Sequence, residues 1–300
     1  MSITTAFVFP GQGSQKRGMG RELFDEVPEY REAEREVDAI VGYSMRQLCI
    51  EDAGGLLSDT RYTQPALYVV NALYYYRAIR QGRPTYLAGH SLGEYNALLA
   101  AGAFDLTTGL RLVKKRGELM SRAKDGGMAA VVGVSPGRIE QILRDNGLTS
   151  LDVANFNSTS QTVISGPRED IKRAAARFEA AGARLYMPLV VSAAFHSRYM
   201  VQAAQEFAEF LRPVAFNELR TQVIANATGR PYAGAASIAE LLVKQISSSV
   251  LWVHSVRYMI DRGVTQFTEV GPGNVLTRLV QDIQQPRQTE AEASAVGVRH

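Results

Sequence analysis

Residues 5–9 form a short apolar, β-prone run that stops at Pro10 and the glycine-rich segment Gly11-Gln12-Gly13-Ser14-Gln15, so a buried strand is expected to enter a loop there. Apolar positions then recur at helical spacing over 20–40 (Leu23, Phe24, Val27, Tyr30) and over 64–79 (Leu67, Val70, Asn71, Tyr74). Each stretch predicts an amphipathic helix packed on a sheet. A second strand over 85–88 runs into Gly89-His90-Ser91-Leu92-Gly93 and a helix over 94–101. A further helix is expected over 105–124, with Asp105 or Thr107 as its N-cap.

From Met128 the elements shorten. Strand 128–134, helix 136–145, strands 151–156 and 162–165, helix 168–181 and strand 184–189 follow in the ferredoxin-like order β-α-β-β-α-β. This predicts a small subdomain over 127–190 inserted into a larger α/β domain made of 1–126 and 191–285. The larger domain resumes with helix 197–211, strand 222–225, helices 238–246 and 252–261, strand 266–270 and helix 274–283. Such alternation favours a mostly parallel sheet flanked by helices. Residues 286–300 have little to bury and read as a disordered tail or linker.

Composition narrows the function classes. With 46% hydrophobic and 21% charged residues the 300-residue chain is ordinary globular material, which argues against disorder, collagen and coiled coil. A net charge of +3 is far from the concentrated basicity of a nucleic-acid binder, although a mildly basic surface suits an acidic partner. Cys49 is the only cysteine, so no internal disulfide can form, and with four histidines a structural zinc site is not expected. Residues 1–10 lack the basic start and apolar stretch of a signal peptide, and no apolar run is long enough to span a bilayer. A cytoplasmic, monomeric protein with no membrane or nucleic-acid partner and no metal is expected.

Gly89-His90-Ser91-Leu92-Gly93 matches G-x-S-x-G between a predicted strand and a predicted helix. Small residues flank the serine because it sits on a tight turn with its Oγ free, and the following helix aims N–H groups at any anion formed there. A hydroxyl needs a base, and histidine is the usual one near neutral pH. His90 adjoins the serine on an extended segment where neighbouring side chains point apart, His300 ends the tail, and His254 lies mid-helix beside Trp252. His196, at a loop-like helix start after Ala193-Ala194-Phe195, ranks above His254. No acidic residue stands out as a third member. The Gly11-Gln12-Gly13 loop is suited to an oxyanion donor; it does not complete G-x-G-x-x-G, which disfavours a nucleotide site. Arg116, within Lys114-Lys115-Arg116-Gly117, lies on a helix whose charges would ordinarily face solvent.

At these residues a resemblance becomes specific. Phe9-Pro10-Gly11-Gln12-Gly13-Ser14-Gln15, Gly89-His90-Ser91-Leu92-Gly93-Glu94-Tyr95, Arg116-Gly117, Asn155-Phe156-Asn157-Ser158, Phe195-His196-Ser197 and Glu269-Val270-Gly271-Pro272-Gly273, in that order, are similar to the malonyl-CoA:acyl carrier protein transacylase family. The family's fold is a hydrolase-like α/β domain holding a ferredoxin-like insertion, in agreement with the segmentation above. The resemblance implies ping-pong acyl transfer with Ser91 as nucleophile and His196 as base. It also implies a backbone carbonyl near Gln245 orienting the imidazole, backbone amides of Gln12 and Leu92 forming the oxyanion hole, and Arg116 holding the malonyl carboxylate. No cofactor is implied, since coenzyme A enters as a substrate thioester. The implied partners are malonyl-CoA and a phosphopantetheinylated acyl carrier protein.

Leu92 and Phe195 resemble the malonyl-selective pattern of polyketide acyltransferases, from which Ala193 departs, many such domains having His there. Asn155 and Asn157 are either cleft-lining or plain turn residues. Tyr62-Thr63-Gln64-Pro65-Ala66-Leu67-Tyr68-Val69-Val70-Asn71 and Ser192-Ala193-Ala194-Phe195-His196-Ser197 resemble the free-standing acyltransferases that serve polyketide synthases. The alternatives are the transacylase of fatty-acid synthesis, an acyl-thioester hydrolase on the same dyad, and a non-catalytic carrier-binding module. Lys16, Arg17, Arg21, Lys114 and Lys115 are candidates for a patch facing an acidic carrier, or serve solubility alone.

Overall fold

The computed structural model describes residues 4–285, so the tail expected over 286–300 lies outside the described residues. In chain order the first part comprises β1 (Thr4–Phe9), α1 (Leu23–Glu26), α2 (Pro28–Val41), α3 (Met45–Glu51), α4 (Thr60–Ala78), β2 (Tyr86–Gly89), α5 (Gly93–Ala101) and α6 (Leu106–Met120). A second group follows as β3 (Gly126–Val132), α7 (Pro136–Asp145), β4 (Asp152–Phe156), β5 (Gln161–Pro167), α8 (Arg168–Ala180) and β6 (Leu185–Pro188). The chain closes with α9 (Val201–Leu211), β7 (Gln222–Ala225), β8 (Arg230–Pro231), α10 (Ile238–Ser247), α11 (Trp252–Ile260), β9 (Val264–Glu269) and α12 (Val275–Gln284).

The larger sheet has the order β8-β7-β2-β1-β9 and is parallel except for the short antiparallel edge strand β8. Side chains alternate across it: Phe7, Phe9 and Leu87 join the core under α4, α5, α6 and α9, while Ala6, Val8, Ala88 and Ile224 pack with α11 and α12 on the other face. The second sheet, β4-β5-β3-β6, is antiparallel, and its elements run in the ferredoxin-like order. One of its faces, with Ala129, Val131 and Ile164, is covered by α7 and α8; Met128, Ala130 and Val163 on the other belong to the core of the larger sheet. Among the described residues no helix is long and apolar enough to cross a membrane.

Two expectations about helices need correction. The helix predicted over 20–40 is broken in two, because Pro28 opens α2 at its first turn and Val27 before it is extended (φ −96°, ψ 104°). The helix predicted to start at 64 starts at Thr60, where the Asp59 side chain accepts from the Arg61 N–H; Pro65 then falls inside the helix rather than at its mouth. The strand predicted over 128–134 begins at Gly126 instead, since two glycines that read as a break pair with Pro167 and Gly166. In the region the pattern left blank, α3 forms behind its Ser44 cap.

The register of the parallel pair positions the site. Val8 pairs with Ala88 and Phe9 with Gly89, so β1 and β2 end side by side and their loops emerge together at one sheet edge. Asn71 on α4 ties down the first loop by donating to Pro10 O (2.9 Å) and Asn96 Oδ1 (3.1 Å). Gly93 must be glycine for packing: a Cβ there would lie 2.1 Å from Phe9 O. Gly93→Ala is therefore expected to lower the unfolding free energy in urea by about 3 kcal/mol. Gly82→Ala, in open space, is expected to change it by less than about 0.5 kcal/mol; equal effects would refute the close-approach argument.

Candidate active site

Ser91 follows β2 and precedes α5, on a turn that holds it at φ 51°, in the left-handed region. The turn is clamped from outside by Asn226, the residue after β7. Its Oδ1 accepts from the Ser91 N–H (2.7 Å) and its Nδ2 donates to Gly89 O (2.6 Å). With the backbone fixed on both sides, the serine Oγ stands at the start of the helix, where N–H dipoles converge.

The structure brings His196 to this hydroxyl. Ser91 Oγ and His196 Nε2 are 2.7 Å apart, and His196 Nδ1 lies 2.9 Å from the backbone oxygen of Gln245. A carbonyl only accepts, so Nδ1 carries the proton and Nε2 is the bare acceptor that faces the serine. The imidazole is 4% exposed and its residue has φ 56°. Burial, with the Arg116 charge second, pushes it down to about 3. His254 is elsewhere, edge-on to Phe156, and His90 turns away to donate from Nε2 to Asn157 Oδ1 at 2.8 Å.

Arg116 departs from the ordinary solvent-facing helix charge and sits inside, as a site residue must: it is 1% exposed. Gly109, Leu112, Val113, Gly117 and Met120 are buried on the same helix, so the 3.6-residue period that makes α6 amphipathic also carries Arg116 inward. Its Nη1 donates to Gln64 Oε1 (2.6 Å), and its Nη2 donates to Gln245 Oε1 (2.9 Å) and Ser91 Oγ (3.1 Å). Tyr95 lies beneath the guanidinium, 5.6 Å from ring centroid to Cζ. The serine oxygen thus sits between a neutral base and a buried cation.

The remaining expected residues divide. Gln12 is joined to this cluster through its side chain, whose Oε1 accepts from Thr60 Oγ1 (2.9 Å), while Thr60 Oγ1 accepts from Gln64 Nε2 (3.0 Å). A Cβ at Gly11 would lie 2.4 Å from His90 O and 3.7 Å from Leu92 N, so the first loop lies directly against the elbow. Phe195 is 7% exposed beside His196, and its carbonyl accepts from Ser165 Oγ of β5 (2.9 Å). Asn157 contacts His90 rather than the serine, and Asn155, on β4, keeps its Oδ1 buried without a partner. Lys16, Arg17 and Arg21 are exposed, whereas Lys114 pairs with Glu118 and Lys115 lies over Phe210.

Sequence reading missed Thr60, Gln64, Asn226 and the side chain of Gln245 as members of the site. Gln64 stood inside a recognised motif without a role; Asn226 carried no signal, since an asparagine after a short strand reads as a turn. Among the described residues no group of three or more His, Cys, Asp or Glu is placed to hold a metal ion.

Two buried groups at the site respond to pH with opposite signs. The unfolded chain protonates His196 near 6.5 and the folded one only near 3, so that contribution is complete above 6.5 and is lost as pH falls toward 3. Glu94, pushed up to about 7 by burial, acts with the opposite sign: its contribution is full below the ordinary 4.5 and is lost as pH rises through 7. Urea unfolding of His196→Gln is therefore expected to lose less stability than the parent between about pH 6.5 and pH 4. Identical losses would contradict a buried neutral imidazole.

The acyl transferase domain family matches residues 6–299. The chain is 51% identical over 291 residues to the polyketide biosynthesis malonyl CoA-acyl carrier protein transacylase BaeC of Bacillus velezensis, covering 96% of this chain and 98% of that one. Its structure is similar to that of a malonyl CoA-acyl carrier protein transacylase from Burkholderia pseudomallei (TM-score 0.90, 48% identity, covering 95% and 100% of the two chains). It also resembles a malonyl-transacylase solved with its type II polyketide synthase acyl-carrier protein (TM-score 0.89, 32% identity, 99% and 100%). The chain belongs to the acyl transferase family and, within it, to the malonyl-CoA:acyl carrier protein transacylases that its motifs resemble.

Proposed function

We propose that this protein transfers a malonyl group from malonyl-CoA to the phosphopantetheine thiol of an acyl carrier protein, acting in trans for a polyketide synthase. The observation that carries the reading is the placement of one serine oxygen 2.7 Å from a neutral imidazole and 3.1 Å from a buried guanidinium. The first contact supplies a nucleophile and the second a seat for a carboxylate, which together describe acyl transfer of a dicarboxylic unit. The polyketide assignment draws support from the name of the Bacillus relative.

In the first half-reaction Ser91 Oγ attacks the thioester carbonyl carbon as its proton passes to His196 Nε2. The carbonyl oxygen becomes an oxyanion facing the backbone N–H groups of Gln12 and Leu92. Collapse breaks the carbon–sulfur bond, and the proton on His196 leaves with coenzyme A thiol, so a malonyl-serine ester remains. In the second half-reaction the carrier thiol gives its proton to His196 and attacks the ester; the proton returns to Ser91 Oγ when the ester breaks. The imidazolium formed in each step is stabilised by Gln245 O. Protein groups and the two substrates carry every step, without a further cofactor.

Arg116 presents a planar fork to the free carboxylate, and desolvation makes that pairing selective for an acidic acyl group over a neutral one. Phe195 beside the base leaves little room for an α-methyl branch, which favours malonyl over methylmalonyl. The exposed Lys16, Arg17 and Arg21 face an acidic carrier surface in this reading, and the site is built from a single chain. A cytoplasmic location fits the substrates.

Intact mass after incubation with malonyl-CoA is expected to show one malonyl adduct, absent from Ser91→Ala. Acetyl-CoA and methylmalonyl-CoA should load poorly. Addition of a holo carrier protein should move the malonyl group to the carrier faster than free malonate appears. Malonate release without carrier loading would replace transfer by hydrolysis, and absence of any adduct would leave a binding module. In Arg116→Ala, malonyl loading is expected to fall by about two orders of magnitude while acetyl loading is spared or raised. Equal losses for both would remove the carboxylate seat.

A further inference from the structure

The nucleophile, base and cation are held by a polar network that the transfer chemistry itself does not use. At its centre is Glu94, fully buried in the first turn of α5, three positions after the nucleophile. Its two oxygens accept from three donors on three separate segments. Oε1 receives the Tyr232 hydroxyl (2.5 Å) and the Asn226 N–H (3.2 Å), and Oε2 receives Gln245 Nε2 (2.5 Å). No hydrogen bond joins Glu94 to Ser91 Oγ or to the His196 ring, whose partners are each other, Arg116 and Gln245 O, so the carboxylate is not a displaced third member of a catalytic triad.

The consequence lies in Gln245. A side-chain amide has a donor end and an acceptor end that occupy nearly the same shape, so its orientation is decided by its neighbours. Here, with Glu94 ionised, the neighbours are unambiguous. Carboxylate oxygens accept, guanidinium nitrogens donate, and Gln245 lies between the two, with Nε2 toward Glu94 and Oε1 toward Arg116 Nη2 at 2.9 Å. Nε2 also donates to Ser91 O at 2.9 Å, which fastens the same amide to the elbow. Turning the amide over would set two donors against each other at the Arg116 end. Arg116 has no carboxylate within hydrogen-bond distance: the amide oxygens of Gln64 and Gln245 and the Ser91 hydroxyl hold it. The aim of its fork therefore depends on which way those amides are turned.

We propose that Glu94 is a positioning residue for acyl selection: by fixing the orientation of the Gln245 amide it aims the Arg116 guanidinium at the free carboxylate of the acyl group. Glu94 does this without touching substrate or the reacting atoms. The inference rests on the carboxylate-binding role of Arg116 described above, and deepens it by naming what sets the geometry of that cation.

The test compares acyl-enzyme formation from malonyl-CoA and acetyl-CoA in the full chain, read by intact mass as a ratio of loading rates. Glu94→Met keeps the side-chain length and removes the acceptor; the malonyl-to-acetyl ratio is expected to fall by about tenfold or more, as loss of a charge-assisted orientation implies. Glu94→Gln, which retains one acceptor, should lie between Glu94→Met and the parent. In an Arg116→Ala background, Glu94→Met should produce no further fall in the ratio, because the group it aims is gone. Should Glu94→Met not fold by thermal melt, Gln245→Met decides the matter, since it leaves Glu94 in place, removes the relay and is expected to lower the ratio equally. An unchanged ratio in Glu94→Met, or in Gln245→Met, overturns the inference; so does a parallel loss of malonyl and acetyl loading, which would mean that Glu94 acts on the nucleophile. If Arg116→Ala itself leaves the ratio unchanged, the carboxylate-seat reading has failed and not this inference alone.

Discussion

A guanidinium stripped of water and surrounded by neutral dipoles is the constraint on which this site depends. Burying an unpaired charge is costly unless polar groups replace its hydration. Around Arg116 the replacements are two glutamine oxygens, a serine hydroxyl and the face of Tyr95. These groups engage Nη1 and Nη2 while Nε stays buried without a partner, so the cation is incompletely satisfied and still favours an anion. The same charge, with burial as the larger cause, disfavours a proton on His196. In the proposed reaction one residue thereby serves both the selection of the acyl group and the supply of an unprotonated base.

The fold makes this arrangement affordable by bringing distant segments to one edge. β1 and β2 finish in register, so the first glycine-rich loop and the nucleophile turn are neighbours although some eighty residues separate Gln12 from Ser91. α4 and α6 deliver Gln64 and Arg116 from the side, α10 delivers Gln245, and the segment after β7 delivers Asn226. His196 lies after the second sheet, tied to it by the bond from Ser165 to the Phe195 carbonyl. The backbone also ties β4 to the segment between α10 and α11, where the Phe156 N–H donates to Val250 O (2.9 Å) and the Val250 N–H donates to Ala154 O (2.8 Å). Ser91 and His196 are thus carried by different parts of the fold, one after the larger sheet's β2 and the other after the second sheet.

Much of this was legible in the sequence wherever local physics dominates. A short β-prone run followed by glycines, the strand-turn-helix order around Ser91, and the shift to ferredoxin-like spacing after Met128 are all local signals, and the elements formed in the expected order, although β3 starts two residues earlier than the pattern put it. Helix starts were less legible, because Pro65 looks like a first-turn proline and the true start depends on the Asp59 cap. Pro28 did carry a break signal, which the longer apolar period obscured. At the site, Ser91 and His196 could be named from residue type and position, but Arg116 needed either the family resemblance or attention to its place on the apolar stripe of α6. Asn226 and the side chain of Gln245 were out of reach, since their roles exist only once β7, α10 and α5 have met.

Among the described residues, four that are not glycine have positive φ: Asp52, Asp125, Ser91 and His196. Aspartate tolerates this conformation through local hydrogen bonding, but for the nucleophile the left-handed backbone costs about 1–2 kcal/mol. Durability and reactivity therefore pull in opposite directions at position 91. A chain selected for endurance alone would place glycine there, relax the bend, and lose the oxygen that gives the bend its purpose.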